Sequence, residues 1–142
     1  YLIYNDSFPS AIYRNRAYHI SHQLDIDEMK KAVCFFKGTH DFSAFRSVGS
    51  SVKTSVRTIF DANLTKMEDN ICFEVSGDGF LYNMVRIMVG TLVDIGMGRI
   101  KAEDIPHIIE SLVRKRAGRT APPQGLYLVE VYYWAKAYRS FL

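Results

Sequence analysis

The apolar residues change their spacing partway along this chain, and that change limits the folds open to it. Val56 to Leu64 and Ile71 to Ser76 are β-branched and aromatic runs joined by the polar Lys66-Met67-Glu68-Asp69-Asn70. They predict an antiparallel hairpin. From Leu81 onward Met84, Val85, Met88, Val89, Leu92 and Ile95 fall on one side of a helix that ends near Gly96 and Gly98. A sheet that switches directly to an amphipathic helix calls for a two-layer arrangement in which each element covers the other's apolar face.

The flanking segments extend this pattern. Tyr1-Leu2-Ile3-Tyr4 and Ala17 to His22 read as strands, with a turn at Asn5-Asp6-Ser7-Phe8-Pro9 between them. Asp25 followed by Glu28 resembles a capping box, and Ile26, Met29, Val33 and Phe36 then recur at helical spacing until Gly38. Ile105, Ile108, Ile109 and Leu112 mark a shorter helix that tolerates Pro106 in its first turn, and Tyr127 to Trp134 reads as a final strand. The expected class is α+β: an antiparallel sheet with helices packed on one face, in ferredoxin-like β-α-β-β-α-β order with one extra helix. Residues 1–142 are expected to form one domain, since the length suits a single core and no linker or repeat interrupts it.

Hydrophobic residues make up 48% of the chain and charged residues 23%, which excludes a disordered polyelectrolyte. No apolar run approaches the roughly 20 residues that span a bilayer. Tyr1 to Phe8 carry neither the basic start nor the apolar stretch of a signal peptide, so a cytoplasmic location and no membrane partner are expected. Cys34 and Cys72 lack metal-ligand spacing and are expected as buried free thiols. His19 and His22 lie three apart in a strand and point to opposite faces, so no metal site is expected there.

The net charge of +3 decides nothing, but its distribution is informative. Arg14 and Arg16 lie close together, Arg46, Lys53 and Arg57 flank the long polar loop Ser47 to Ser55, and Arg114, Lys115, Arg116 and Arg119 form a short run. Each cluster is either a solvated face or part of an RNA surface. Arg86 stands out because it sits at the border of an apolar helix face with Asn83, Tyr82, Val89 and Gly90 as its one-turn neighbours, none of them acidic. A half-sunk arginine normally has a partner, which here must come from elsewhere in the protein, while a surface arginine that reaches out to solvent is the commoner case for an arbitrary helix. Ser76-Gly77-Asp78-Gly79-Phe80 fails the G-x-G-x-x-G phosphate pattern because Tyr82 occupies the third glycine's place, and reads as a turn. His40-Asp41 adjoins aromatics and the basic loop but reads, taken alone, as a packed turn. The residues themselves lead no further than an α+β domain that suits RNA.

Four segments carry a resemblance that goes further: Tyr1-Leu2-Ile3-Tyr4-Asn5, Gly38-Thr39-His40-Asp41-Phe42 through Phe45, Phe80-Leu81-Tyr82-Asn83-Met84-Val85-Arg86-Ile87-Met88-Val89-Gly90, and Thr120-Ala121-Pro122-Pro123-Gln124-Gly125-Leu126-Tyr127-Leu128. In this order, over nearly the full length, they resemble the TruA-type tRNA pseudouridine synthases. The resemblance implies an isomerase that converts uridine to pseudouridine in the tRNA anticodon stem-loop. It also implies a two-domain homodimer with a basic cleft and no cofactor. This chain would be the C-terminal domain, because the family's nucleophilic aspartate belongs to an R-T-D-x-G-V-H motif absent from these residues.

By the same resemblance Arg86 matches the arginine that pairs with that aspartate, and Leu126 matches the apolar residue lining the uracil pocket, with Tyr82 beside it. Tyr1 matches the second tyrosine of the family's Y-x-Y-x-I-Y-N strand, which puts the active-site tyrosine just upstream. Arg14, Arg46, Lys53 and Arg114 are the expected tRNA contacts. A non-catalytic RNA-binding or dimerisation module is the competing reading of the same chain.

Overall fold

The structure, a computed structural model, describes residues 1–49 and 51–133. Eight main elements follow in order: β1 (Leu2–Asn5), β2 (Tyr18–Ile20), α1 (Ile26–Val33), β3 (Gly38–Asp41), β4 (Val56–Met67), β5 (Asn70–Gly77), α2 (Met84–Gly96) and α3 (Ile105–Ser111). The strands form one sheet in the order β2-β1-β5-β4-β3. Helices cover one face, as expected of the α+β class. The long hairpin is its centre: β4 and β5 pair antiparallel from Asp61↔Ser76 to Met67↔Asn70.

Inward positions of the strands supply Ile3, Ile59, Leu64, Ile71 and Phe73, and the helices return Met29, Val33, Phe36, Met88, Leu92 and Ile95, all buried in one cluster. Phe36 meets Phe45 edge-on, with ring centroids 5.4 Å apart. Asp25 caps α1, its Oδ1 accepting from the Glu28 amide at 3.1 Å, so the predicted helix start is the real one. Pro106 lies in the first turn of α3, where its missing amide hydrogen costs nothing.

Three details differ from the sequence expectation. β1 and β2 run parallel, making the sheet mixed and not wholly antiparallel. Residues 38–41 form an edge strand against β4, from Gly38↔Ile59 to Asp41↔Val56, although they show no apolar alternation. The expected last strand, Tyr127 to Trp134, is not a strand over residues 127–133, and Trp134 lies outside the described residues. A β-rich composition does not make a strand without a ladder partner, and Leu128 and Val129 are 84% and 86% exposed.

The cysteines are also corrected. Cys34 is exposed and Cys72 is half-buried, because each falls just off the inward-facing set of its element. Among the described residues no helix is long and apolar enough to cross a membrane.

Candidate active site

Arg86 lies in the first turn of α2, and the local sequence fixes how that turn begins. Asn83 takes a left-handed conformation, φ 59°, at the helix start, which asparagine tolerates better than most residues. The chain thereby enters the helix sharply from Phe80-Leu81-Tyr82, and the Asn83 side chain comes level with the guanidinium one turn on. Arg86 Nη1 donates to Asn83 Oδ1 at 3.0 Å, and Nε donates to the Ala121 carbonyl at 2.7 Å. The ion pairs among the described residues are Lys31–Glu28, Lys37–Asp61 and Arg99–Asp94, so no carboxylate reaches Arg86 and its Nη2 has no hydrogen-bond partner there. The guanidinium is aimed by two neutral acceptors and keeps its charge for something else.

The segment from Arg114 to Leu126 forms a strap across α2 that carries Ala121. The Ala121 amide donates to the Arg86 carbonyl at 2.9 Å, so Arg86 holds this residue by both main chain and side chain. Gly90 permits this approach, since a Cβ there would stand 1.7 Å from the Arg119 carbonyl oxygen. The next residue, buried Thr91, accepts from the Gly118 amide at 2.8 Å through Oγ1. The strap then passes over the start of β1, where a Cβ on Gly125 would meet the Leu2 carbonyl and the Tyr1 ring at 2.6 Å.

Tyr1 is buried beneath this crossing, and its hydroxyl donates to the Pro122 carbonyl. Burial pushes the phenol's pKa well above its ordinary value, and the nearby Tyr18 adds to that, with Arg86 pulling weakly the other way. A neutral, hydrogen-bonded phenol of this kind holds the strap in place and is not set up to exchange protons.

The structure brings some of the expected site residues together and separates others. Tyr82 and Leu126 are both exposed, Tyr82 directly preceding Asn83 and Leu126 closing the strap's last turn. Arg46 joins the same region: its Nη1 donates to Ser55 Oγ at 2.8 Å across the neck of the polar loop, and the next residue, Ser47, donates its amide to the Tyr82 carbonyl at 3.1 Å. Lys53 is exposed on that loop. Arg114 is turned inward, donating to the Gly118 carbonyl at 2.8 Å and the Thr120 hydroxyl at 3.1 Å, so its charge secures the strap. Arg14 lies apart, exposed on the turn that follows the far end of β1.

Other sequence candidates prove structural. Asp41 Oδ1 accepts from the amide and hydroxyl of Ser43, and His40 Nε2 is 2.8 Å from the Lys37 carbonyl. Asp78 accepts from the Thr58 amide at 2.9 Å, closing the turn after β5. No metal-binding group of His, Cys, Asp or Glu occurs among the described residues. The site is an open wall. A cavity of about 220 Å³ lined by His19, His22, Arg99 and Arg119 contains none of the expected site residues. Asn83 and Ser47 are the residues that sequence reasoning passed over. Their signal was an asparagine directly before a helix whose first turn holds an arginine without an acid.

Comparison with known proteins identifies the family. A family model described as tRNA pseudouridine synthase matches residues 32–134, a span that includes Arg86, Asn83 and the whole strap. The chain is 65% identical over 133 residues to the tRNA pseudouridine synthase A of Acetivibrio thermocellus, covering 94% of this chain and 54% of that protein. It is 54% identical to the protein of the same name from Ruminiclostridium cellulolyticum, with 94% and 55% covered, and 50% identical to that of Thermoanaerobacter sp., with 94% and 54% covered. The chain thus spans about half the length of the curated relatives it matches. With a family match over most of its residues and half or more of its positions identical to these relatives, the chain belongs to the tRNA pseudouridine synthase family.

Proposed function

We propose that this chain is the C-terminal domain of a tRNA pseudouridine synthase and forms one wall of its active-site cleft. The observation that carries the reading is Arg86: a guanidinium aimed by Ala121 and Asn83 with no acid of its own among the described residues. Its natural partner is the aspartate that the family places in the upstream half. Within about 4–6 Å, the arginine would hold that carboxyl well below the usual carboxylate range and orient it for attack.

The reaction breaks the bond between C1′ of the ribose and N1 of uracil, turns the base, and forms a bond from C1′ to C5; C5 then gives up its proton and N1 takes one up, so the product is an isomer of the substrate. No redox or metal chemistry is required, so no cofactor is invoked. The target nucleotide must leave its stack to reach such a site. Leu126 and Tyr82, both exposed, would offer apolar surface to the flipped base. The substrate is tRNA, bound through the anticodon stem-loop. Arg14 and Lys53 can meet its phosphates, since their side chains make no hydrogen bond or ion pair among the described residues. Arg46 and Arg114 serve first to hold the loop neck and the strap. The working enzyme is read as a cytoplasmic homodimer, as in the family.

The test is pseudouridine formation in unmodified tRNA by this chain, with and without a separately supplied upstream half. Product only with both halves is expected. Product from this chain alone would overturn the split site, and no product with both halves present and folded would overturn the enzyme reading.

A further inference from the structure

Asn83 belongs to three interactions at once. Its backbone begins α2 from the left-handed region, its Oδ1 accepts from Arg86 Nη1 at 3.0 Å, and its Nδ2 donates to Ser47 Oγ at 3.1 Å. Ser47 in turn is tied by its amide to the Tyr82 carbonyl, and it directly follows Arg46, which closes the polar loop onto Ser55. A single asparagine amide therefore lies between the basic loop and the arginine. Both ends of that amide are used, so the orientation of Oδ1 toward Arg86 depends on Nδ2 having Ser47 to donate to.

We infer that Asn83 is a positioning residue for Arg86 and that Ser47 sets it, so that the seating of the basic loop is transmitted to the guanidinium. This deepens the synthase reading and rests on it. Arg86 has two tethers: the Ala121 carbonyl fixes Nε, and Asn83 fixes the rotation of the terminal group. Without Asn83 the guanidinium stays in the site but loses its aim toward the incoming carboxylate. That deficit belongs to turnover and not to tRNA affinity. When tRNA phosphates engage Arg46 or the loop beside it, the Ser47–Asn83 link provides a direct path from binding to alignment.

The experiment uses the full-length synthase with Asn83→Gly, Ser47→Ala, Ser47→Thr and the double variant Asn83→Gly with Ser47→Ala. Glycine is chosen because it accepts the left-handed backbone, so the helix start survives while the amide is lost. Asn83→Gly is expected to lower kcat by about 10- to 100-fold, the range for losing a hydrogen bond to a charged group, with KM within about twofold. Ser47→Ala is expected to give a smaller loss that Ser47→Thr restores, and the double variant to match Asn83→Gly alone because both act through one amide. Wild-type kcat in Asn83→Gly, or losses that simply multiply in the double variant, would overturn the inference.

The Nη–H signals of Arg86 by nitrogen-15 NMR supply a readout that does not need turnover, with the Nε–H signal as an internal reference. Asn83→Gly should speed rotation of the terminal group and broaden or merge the Nη–H signals while Nε stays bonded to Ala121. Unchanged Nη–H signals would overturn the positioning role even if the wild-type enzyme is active. An inactive wild type with the expected change in signal would instead overturn the enzyme reading.

Discussion

Two segments reach Arg86, and they are held differently. The strap, Arg114 to Leu126, is held through its own main-chain groups, Ala121 to Arg86 in both directions, Gly118 to Thr91 and Pro122 to Tyr1, with Gly90 and Gly125 allowing approach closer than any side chain would permit. The polar loop is tied by side chains, Arg46 to Ser55 and Asn83 to Ser47, and by two backbone bonds, Ser47 to Tyr82 and Phe42 to Ser55. The strap closes over the buried Tyr1, Gly90 and Thr91, so the loop is expected to be the easier of the two to release. The difference shows how one arginine is both anchored and adjustable: Nε is set by the strap, while Nη1 answers to the loop.

Substitutions should separate the two segments. Gly90→Ala has the largest expected effect on stability, because its methyl would collide with the Arg119 carbonyl and force α2 from the strap. A loss of about 3 kcal/mol or more is expected, read as a large fall in the midpoint of urea unfolding. A wild-type midpoint would mean that the strap is not clamped there. Thr91→Val keeps the shape but leaves the buried Gly118 amide without its acceptor. It should cost about 1–3 kcal/mol in the same measurement.

On the loop side Ser47→Ala should change stability by no more than about 0.5 kcal/mol, as expected of a surface substitution, while still lowering kcat. A stability loss as large as that of Thr91→Val would erase the contrast between the segments. The smallest effect is expected far from both. The exposed Lys37–Asp61 pair, 2.9 Å apart, lowers the Asp61 carboxyl pKa through its hydrogen bond and charge. A depressed carboxylate contributes stability above its unfolded pKa and loses that contribution as pH falls through its folded one. Because both groups face solvent, Lys37→Ala should leave thermal unfolding curves near pH 7 unchanged and flatten their pH dependence only slightly in the acid range.

The sequence made some of this legible. Alternation in β4 and β5 and the helical period from Met84 to Ile95 reflect burial on one face, and burial is what hydrophobic spacing records. Arg86 was visible for the same reason, as a charge at the edge of an apolar stripe. What spacing does not record is pairing. β3 exists because Gly38 to Asp41 lie beside β4, not because their side chains alternate. The parallel sense of β1 and β2 depends on the path of residues 6–17, a turn-rich stretch that spacing leaves open. Tyr127 to Tyr133 has the composition of a strand but joins no ladder among the described residues.

The site was half legible. Arg86 sits one turn from Asn83 as the helical period places it, and the Arg114 guanidinium is partnered by Gly118 and Thr120, which the strap brings to it. The role of Asn83 depended on a positive φ and on a serine 36 residues away, neither of which a local pattern contains.

The most direct measurement is turnover of unmodified tRNA by full-length Arg86→Ala beside the wild type, with thermal unfolding of both. The account predicts a loss of about 10²- to 10³-fold or more in kcat, the scale of removing a preorganised charged donor, from a protein that still folds. Wild-type turnover by a folded Arg86→Ala would contradict it, and the wall described here would then be only a wall.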